Sequence, residues 1–223
     1  MNLSIDTIVV PQGAEYQAVR RGIQQTGEQK INVISIPIGM HNIKQNWIQN
    51  YLQTTPPRQV LIMGLCGSLS PLYSVGDIVV YQQCWDLNCS TVKTNPELTQ
   101  MIRRKLSVNL VTGLTSDRPI CQAAEKLQLS QTYPVSVVDM EGYAYIQELQ
   151  HQGISVAMLR VVSDDLAGDI PDLSGAIDSQ GNLQALPMAI ALLQQPLAAI
   201  RLIRGSLTGL KTLQEITIQL LSN

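Results

Sequence analysis

Short runs of apolar, largely β-branched residues alternate along the chain with polar stretches in which apolar positions return at three- and four-residue spacing. The runs Ile5 to Val10, Ile31 to Ile38, Val60 to Met63, Val75 to Tyr81, Val108 to Val111, Val135 to Val138 and Ile154 to Val162 predict strands. Helices are predicted from Ala14 to about Gln25, after the turn Pro11-Gln12-Gly13, and over Pro96 to Leu106, Cys121 to Leu129 and Tyr143 to Gln152. Pro96 suits a first helical turn, and Arg103, Arg104 and Lys105 suit the negative end of the dipole. Another helix is expected to open at Gly39 to Asn42 and to stop at Pro56-Pro57, because a proline ring removes a donor and clashes with the preceding turn. From Leu183 to Leu221 the helical spacing continues around Pro187, Pro196, Gly205 and Gly209, as two or three packing helices. The alternation, with no repeat, linker or low-complexity tract, predicts one domain of alternating strands and helices over residues 1–223.

Composition narrows the partners. Of 223 residues 45% are hydrophobic and 14% charged, with a net charge of −2, so there is no electrostatic case for a nucleic-acid surface and ample material for a core. Met1 to Val10 carries Asp6 and no basic segment before an apolar one, which argues against a secretory leader. Gln194, Gln195, Pro196, Arg201 and Arg204 interrupt the apolar C-terminal third before membrane-spanning length. Cys66, Cys84, Cys89 and Cys121 form neither a C-x-x-C pair nor a zinc pattern, and a reducing cytoplasm is the expected compartment. His41 and His151 lack metal-ligand spacing, so no metal is expected.

Chemistry concentrates between Val137 and Asp165, where V-V-D-M-E-G-Y is followed, after some two dozen residues, by L-R-V-V-S-D-D. Glu141 and Asp164 each lie just beyond an apolar run. If those runs are neighbouring parallel strands joined by a crossover helix over residues 142 to 152, both carboxylates emerge at the sheet edge where open α/β folds bind small molecules. Glu15, just after the first strand, would share that edge. Each has a plainer reading: Glu141 as a charge in a helical first turn, Asp164 as a cap or turn residue like Ser163 and Asp165, Glu15 as a solvated helix residue. Gly64-Leu65-Cys66-Gly67-Ser68 reads as a turn that lets backbone approach a ligand. It also has the outline of a nucleophile elbow with Cys66 as nucleophile, but His151 falls in a helix running away from the edge and Ser68 replaces the last glycine.

The segments V-L-I-M-G-L-C-G-S-L-S-P-L-Y-S-V-G-D-I-V-V, V-V-D-M-E-G-Y-A and R-V-V-S-D-D resemble, in order and approximate spacing, those of the purine nucleoside phosphorylase and methylthioadenosine/S-adenosylhomocysteine nucleosidase superfamily. The resemblance implies a three-layer α/β/α fold with a mixed central sheet, and cleavage of a base–ribose N-glycosidic bond. It makes Asp164 the donor of a proton to the purine N7, a role that requires a raised pKa. Glu141 becomes the ligand of the ribose hydroxyls, Met140 a packing surface for the sugar, and Arg160 either a partner of Glu141 or a group that orients water. Glu15 becomes the base for the attacking water. Ser163, Ile120, Cys66 and Gly67 would line the substrate site.

Departures from the family pattern matter as much. Hexameric bacterial phosphorylases carry an arginine where this chain has Ile62 and a serine where it has Leu65, so phosphate loses partners that Arg20, Arg21 or Arg118 would have to replace. The nucleosidases stack adenine on a phenylalanine; this chain has none, and Pro119 and Ile120 occupy that stretch. S-D-R-P-I-C-Q-A-A-E-K and G-L-C-G-S-L are similar to the branch linked to hopanoid biosynthesis, which implies adenosylhopane as substrate. Hydrolysis is therefore expected over phosphorolysis, with no organic cofactor. Inorganic phosphate as co-substrate, a catalytically silent nucleoside binder and a Cys66 hydrolase are the alternatives. The resemblance also implies a homo-oligomer.

Overall fold

The computed structural model describes residues 5–27, 30–39, 57–178, 182 and 184–222. In chain order these form β1 (Thr7–Pro11), α1 (Ala14–Thr26), β2 (Asn32–Ile36), β3 (Gln59–Ser68), β4 (Ile78–Asp86), β5 (Thr91–Lys93), α2 (Pro96–Leu106), β6 (Asn109–Thr115), α3 (Ala123–Thr132), β7 (Val137–Asp139), α4 (Gly142–His151), β8 (Ser155–Asp164), a 3-10 turn at Ser174–Ala176, α5 (Ala185–Gln194) and α6 (Pro196–Leu221). The helix expected between Gly39 and Pro56 lies outside the described residues. Among those residues no helix is long and apolar enough to cross a membrane.

The fold is the expected three-layer α/β/α arrangement around a mixed sheet. Its strands run β2-β1-β3-β7-β6-β4-β5, and β8 pairs with both β3 and β4. That double pairing closes a circuit of β3, β7, β6, β4 and β8. Along each central strand the two-residue period sends alternate side chains to opposite faces. Ile8, Val10, Leu61, Met63, Leu159 and Val161 pack with α1, α2 and α6. Val9, Val60, Ile62, Met158 and Val162 pack with Tyr145, Ile146 and Leu149 of α4.

Two expectations are corrected. The runs that carry Glu141 and Asp164 are not neighbouring parallel strands: β3 lies between them, parallel to β8 and antiparallel to β7. β7 is only three residues long and meets β3 at its last two residues, Gly67 and Ser68, beyond the part of β3 that pairs with β1. The carboxylates still come together, by the closure of the circuit rather than by a simple crossover. Nor is Gly64 to Ser68 a turn. β3 runs straight through it, and its glycines make room for side chains from β8: a Cβ on Gly64 would fall well inside contact with Arg160 Nη1, and one on Gly67 would lie 2.8 Å from Asp164 Oδ2.

The β3–β8 register shifts once. Cys66 faces Val162 but Gly67 faces Asp164, so Ser163 is an extra residue that bends the strand end and re-aims its neighbour. The displaced Ser163 carbonyl presses on α6, and a Cβ on Gly205 would overlap its oxygen, while one on Gly209 would lie 2.9 Å from Leu65 Cδ2. Helix propensity alone would favour alanine over Gly205 by about 1 kcal/mol, but overpacking against a backbone carbonyl costs about 1–3 kcal/mol and the carbonyl cannot rotate away. Gly205→Ala should therefore lower the urea unfolding midpoint. An unchanged or raised midpoint would refute the close seating of α6 on Ser163.

Candidate active site

At the end of β1 the chain turns through Gly13, whose φ of 91° suits only glycine, and starts α1 with Glu15 in its first turn. Glu15 is half-buried, with its carboxylate turned toward β3. Its Oε1 accepts the Leu65 N–H at 2.6 Å, and burial, opposed by Arg160 and reinforced by Glu141, pushes its pKa up to about 7. At that value the carboxylate is poised to take a proton near neutrality.

Glu141 stands at the N-terminus of α4 but makes no side-chain cap there. Asp139 does that work: its Oδ1 accepts the N–H groups of Glu141 at 3.0 Å and Gly142 at 2.7 Å, and the Thr115 hydroxyl at 3.0 Å. The helix end is thereby satisfied, and Glu141 is free to turn inward. Its Oε2 accepts Arg160 Nη2 at 3.1 Å and its Oε1 accepts the Gly39 N–H at 3.0 Å. Burial raises its pKa, with Arg160 working in the opposite direction.

Arg160 projects from the middle of β8 and has no exposed surface. Burial works against its charge, but Asp139 and Glu141 together outweigh it and hold the guanidinium protonated beyond its ordinary range. Its Nε lies 4.0 Å from Asp139 Oδ2. Nε and Nη1 find no hydrogen-bond partner among the described residues, and Nη1 and Glu15 Oε1 both border the space that Gly64 leaves open.

Asp164, at the end of β8, is held at both oxygens. Oδ1 accepts the Ser163 hydroxyl at 3.0 Å, and Oδ2 accepts Lys126 Nζ from α3. One cleft of about 180 Å³ is lined by Glu15, Cys66, Gly67, Ile120, Met140, Glu141, Ser163 and Asp164, with Arg160 directly beneath Glu141. The sequence-derived positions thus gather at one place. Ile120 and Val138 give one wall an apolar surface, and past Met140 a second hollow of about 220 Å³ opens between Ile38, Arg118 and Ile177.

Other expectations fare differently. Arg20 and Arg21 are exposed on α1 and do not line the cleft, while Arg118 reaches its mouth but is paired with Glu125 at 2.5 Å. Cys66 lies within a strand, not at an elbow, and burial pushes its thiol well above the ordinary pKa, which leaves a poor nucleophile. His151 ends α4 on the exposed surface, outside the cleft. Among the described residues no cluster of histidine, cysteine and carboxylate side chains could hold a metal. Sequence reasoning missed two residues. Asp139 carried a signal, an aspartate directly ahead of a helix start. Lys126 carried none, since a lysine in an amphipathic helix ordinarily points outward.

The fold has known relatives. Residues 6–194 match the model of the phosphorylase superfamily, and the chain belongs to that family. The structure is similar to the 5′-methylthioadenosine/S-adenosylhomocysteine nucleosidase of Helicobacter pylori, with a TM-score of 0.66 and 16% identity over 94% of this chain and 96% of the other. It is similar also to the futalosine hydrolase of the same organism, with a TM-score of 0.67 and 14% identity over 96% and 95% of the two chains. The nucleosidase of Neisseria meningitidis in complex with methylthio-immucillin-A gives 0.65 and 15% over 96% and 99%. No curated protein sequence gives a significant match.

The Glu15 pKa generates a stability test. Because the folded value, about 7, exceeds the ordinary 4.5, the native state binds more protons than the unfolded state between those values, and stability falls as pH rises through that window. Glu15→Gln removes the titration and should flatten the decline in urea midpoint between pH 5 and pH 8. Parallel declines in the two proteins would discount burial of the Glu15 carboxyl.

Proposed function

We propose that the protein hydrolyses the N-glycosidic bond of a purine nucleoside, with Asp164 as general acid, Glu141 as ribose ligand and Glu15 as the base that activates water. The observation that carries the reading is the convergence of these three carboxylates, from β8, the β7–α4 junction and α1, on one cleft. As the C–N bond breaks, positive charge grows on the sugar and the bonding electron pair moves to the base. A negatively charged wall opposite the sugar and a proton donor opposite the base both act most strongly in the transition state. A carboxylate oxygen can accept more than one hydrogen bond, so Glu141 can take ribose hydroxyls while keeping Arg160 and Gly39. Water held between Glu15 and the free Nη1 of Arg160 would lose its proton to Glu15 as it attacks the anomeric carbon.

Water is favoured over phosphate by the cations at hand. Among the described residues Arg118, which lines the cleft, is paired with Glu125, and Arg160 is fully buried between Asp139 and Glu141 and does not itself line the cleft, so a phosphate dianion meets no uncommitted cationic side chain on the cleft wall. The apolar wall of Ile120 and Val138 suits the face of a purine in place of the phenylalanine stack. The hollow beyond Met140 gives room for a 5′ substituent. The narrower reading, adenosylhopane, rests on the sequence resemblance.

The protein, incubated with adenosine, methylthioadenosine, inosine and an adenosyl lipid with and without phosphate, should release free base at a rate independent of phosphate. Turnover that requires phosphate would replace hydrolysis by phosphorolysis. Asp164→Asn should lower kcat about 10²–10⁴-fold and leave KM nearly unchanged; wild-type kcat in that variant would reject the acid role.

A further inference from the structure

Lys126 has no exposed surface, although it lies in a helix where most of its neighbours meet solvent. Its Nζ donates to Asp164 Oδ2 and, at 3.3 Å, to the carbonyl of Asp165. Asp164 lines the cleft and Lys126 does not. The ammonium therefore touches the candidate acid from behind. Fold stability does not account for it: burying an ammonium costs several kcal/mol even after relaxation, and exchanging a buried ion pair for apolar packing is often neutral or stabilising. Two backbone features hold the pair together. The extra residue Ser163 aims Asp164 across β3, and Gly67 leaves the space in which Oδ2 lies.

We propose that Lys126 supplies, through Asp164, the proton that the departing base takes. This rests on the nucleosidase reading above. In the resting pair Nζ carries the proton and Asp164 the negative charge. The direct contact of Nζ with Oδ2 gives the proton a path from one to the other. Nζ passes its proton to Oδ2, giving an amine and a carboxylic acid. As the C–N bond breaks, its electron pair passes to the base, the base takes the proton from Asp164, and Asp164 returns to carboxylate. After the base has left, Asp164 takes a proton from water in the cleft and passes it back to the amine. One proton enters from water and one leaves on the base, so the pair is restored. Lys126 is a positioning residue in this scheme, since it acts through Asp164 and does not meet substrate.

The test compares two leaving groups. A purine leaves best when protonated, whereas 4-nitrophenolate leaves from 4-nitrophenyl β-D-ribofuranoside without a proton. Lys126→Gln keeps an N–H donor for Oδ2 but has no proton to give. It should lower kcat on the best purine nucleoside about 10²-fold, with KM and nitrophenyl riboside turnover each within about threefold of wild type. Lys126→Met should give the same split and serves if the glutamine variant does not fold. Retained purine turnover in Lys126→Gln would overturn the proposal. So would a parallel loss on both substrates, which marks a structural role. Asp164→Asn separates this failure from that of the underlying reading: if that variant treats both substrates alike, leaving-base protonation itself is wrong. If it shows the split and Lys126→Gln does not, only the role of Lys126 is wrong.

Discussion

A guanidinium sealed inside the sheet sets the terms for the rest of the cleft. Arg160 is the largest fully buried side chain among the described residues, and a charge of that size away from water is tolerable only with opposite charge close by. Asp139, Glu141 and Glu15 supply it, from three different elements. Carboxylates outnumber the cation, and burial pushes the pKa of Glu15 up to about 7, so the cluster does not carry its full formal charge at neutral pH. An arrangement of this kind couples the elements: moving β1, β7 or β8 separately would strand a charge. It also fixes a negative wall beside the space where the proposed chemistry builds a cationic sugar.

The backbone accommodates this cluster through places where a side chain is missing or a residue is added. Gly64 and Gly67 open β3 to Arg160 and Asp164, Gly142 lets α4 begin against Asp139 and Met158, and the extra Ser163 turns the end of β8. Gly205 in turn receives the carbonyl that this insertion displaces. Asp164 is thus tied to a helix that contributes none of the cleft-lining residues. Packing on the far side of β8 and aim within the cleft are one mechanical problem.

Much of this was legible in the residues themselves. The two-residue and 3.6-residue periods place most strands and helices within a few positions, because burial on the faces of a central sheet imposes those periods directly. The carboxylates were legible because each follows an apolar run. Strand neighbours were not. Nothing in V-V-D or R-V-V-S-D-D says that β3 separates them, since pairing is decided by how the whole sheet closes. Gly64 to Ser68 misled for a related reason. Glycine marks close approach as well as turning, and only the partner across the strand, Arg160, distinguishes the two. Lys126 was invisible because its burial depends on a carboxylate 38 positions away.

Closure of the strands also sets an order of assembly. β8 is the seam: β3 on one side and β4 on the other pair with it, across sequence separations far longer than any hairpin. Until residues 155–164 leave the ribosome, β3 and β4 have been made but each presents an open, largely apolar edge. The nascent chain therefore passes through a long interval in which intermolecular pairing competes with folding, and a late strand that carries its own buried charge ends it.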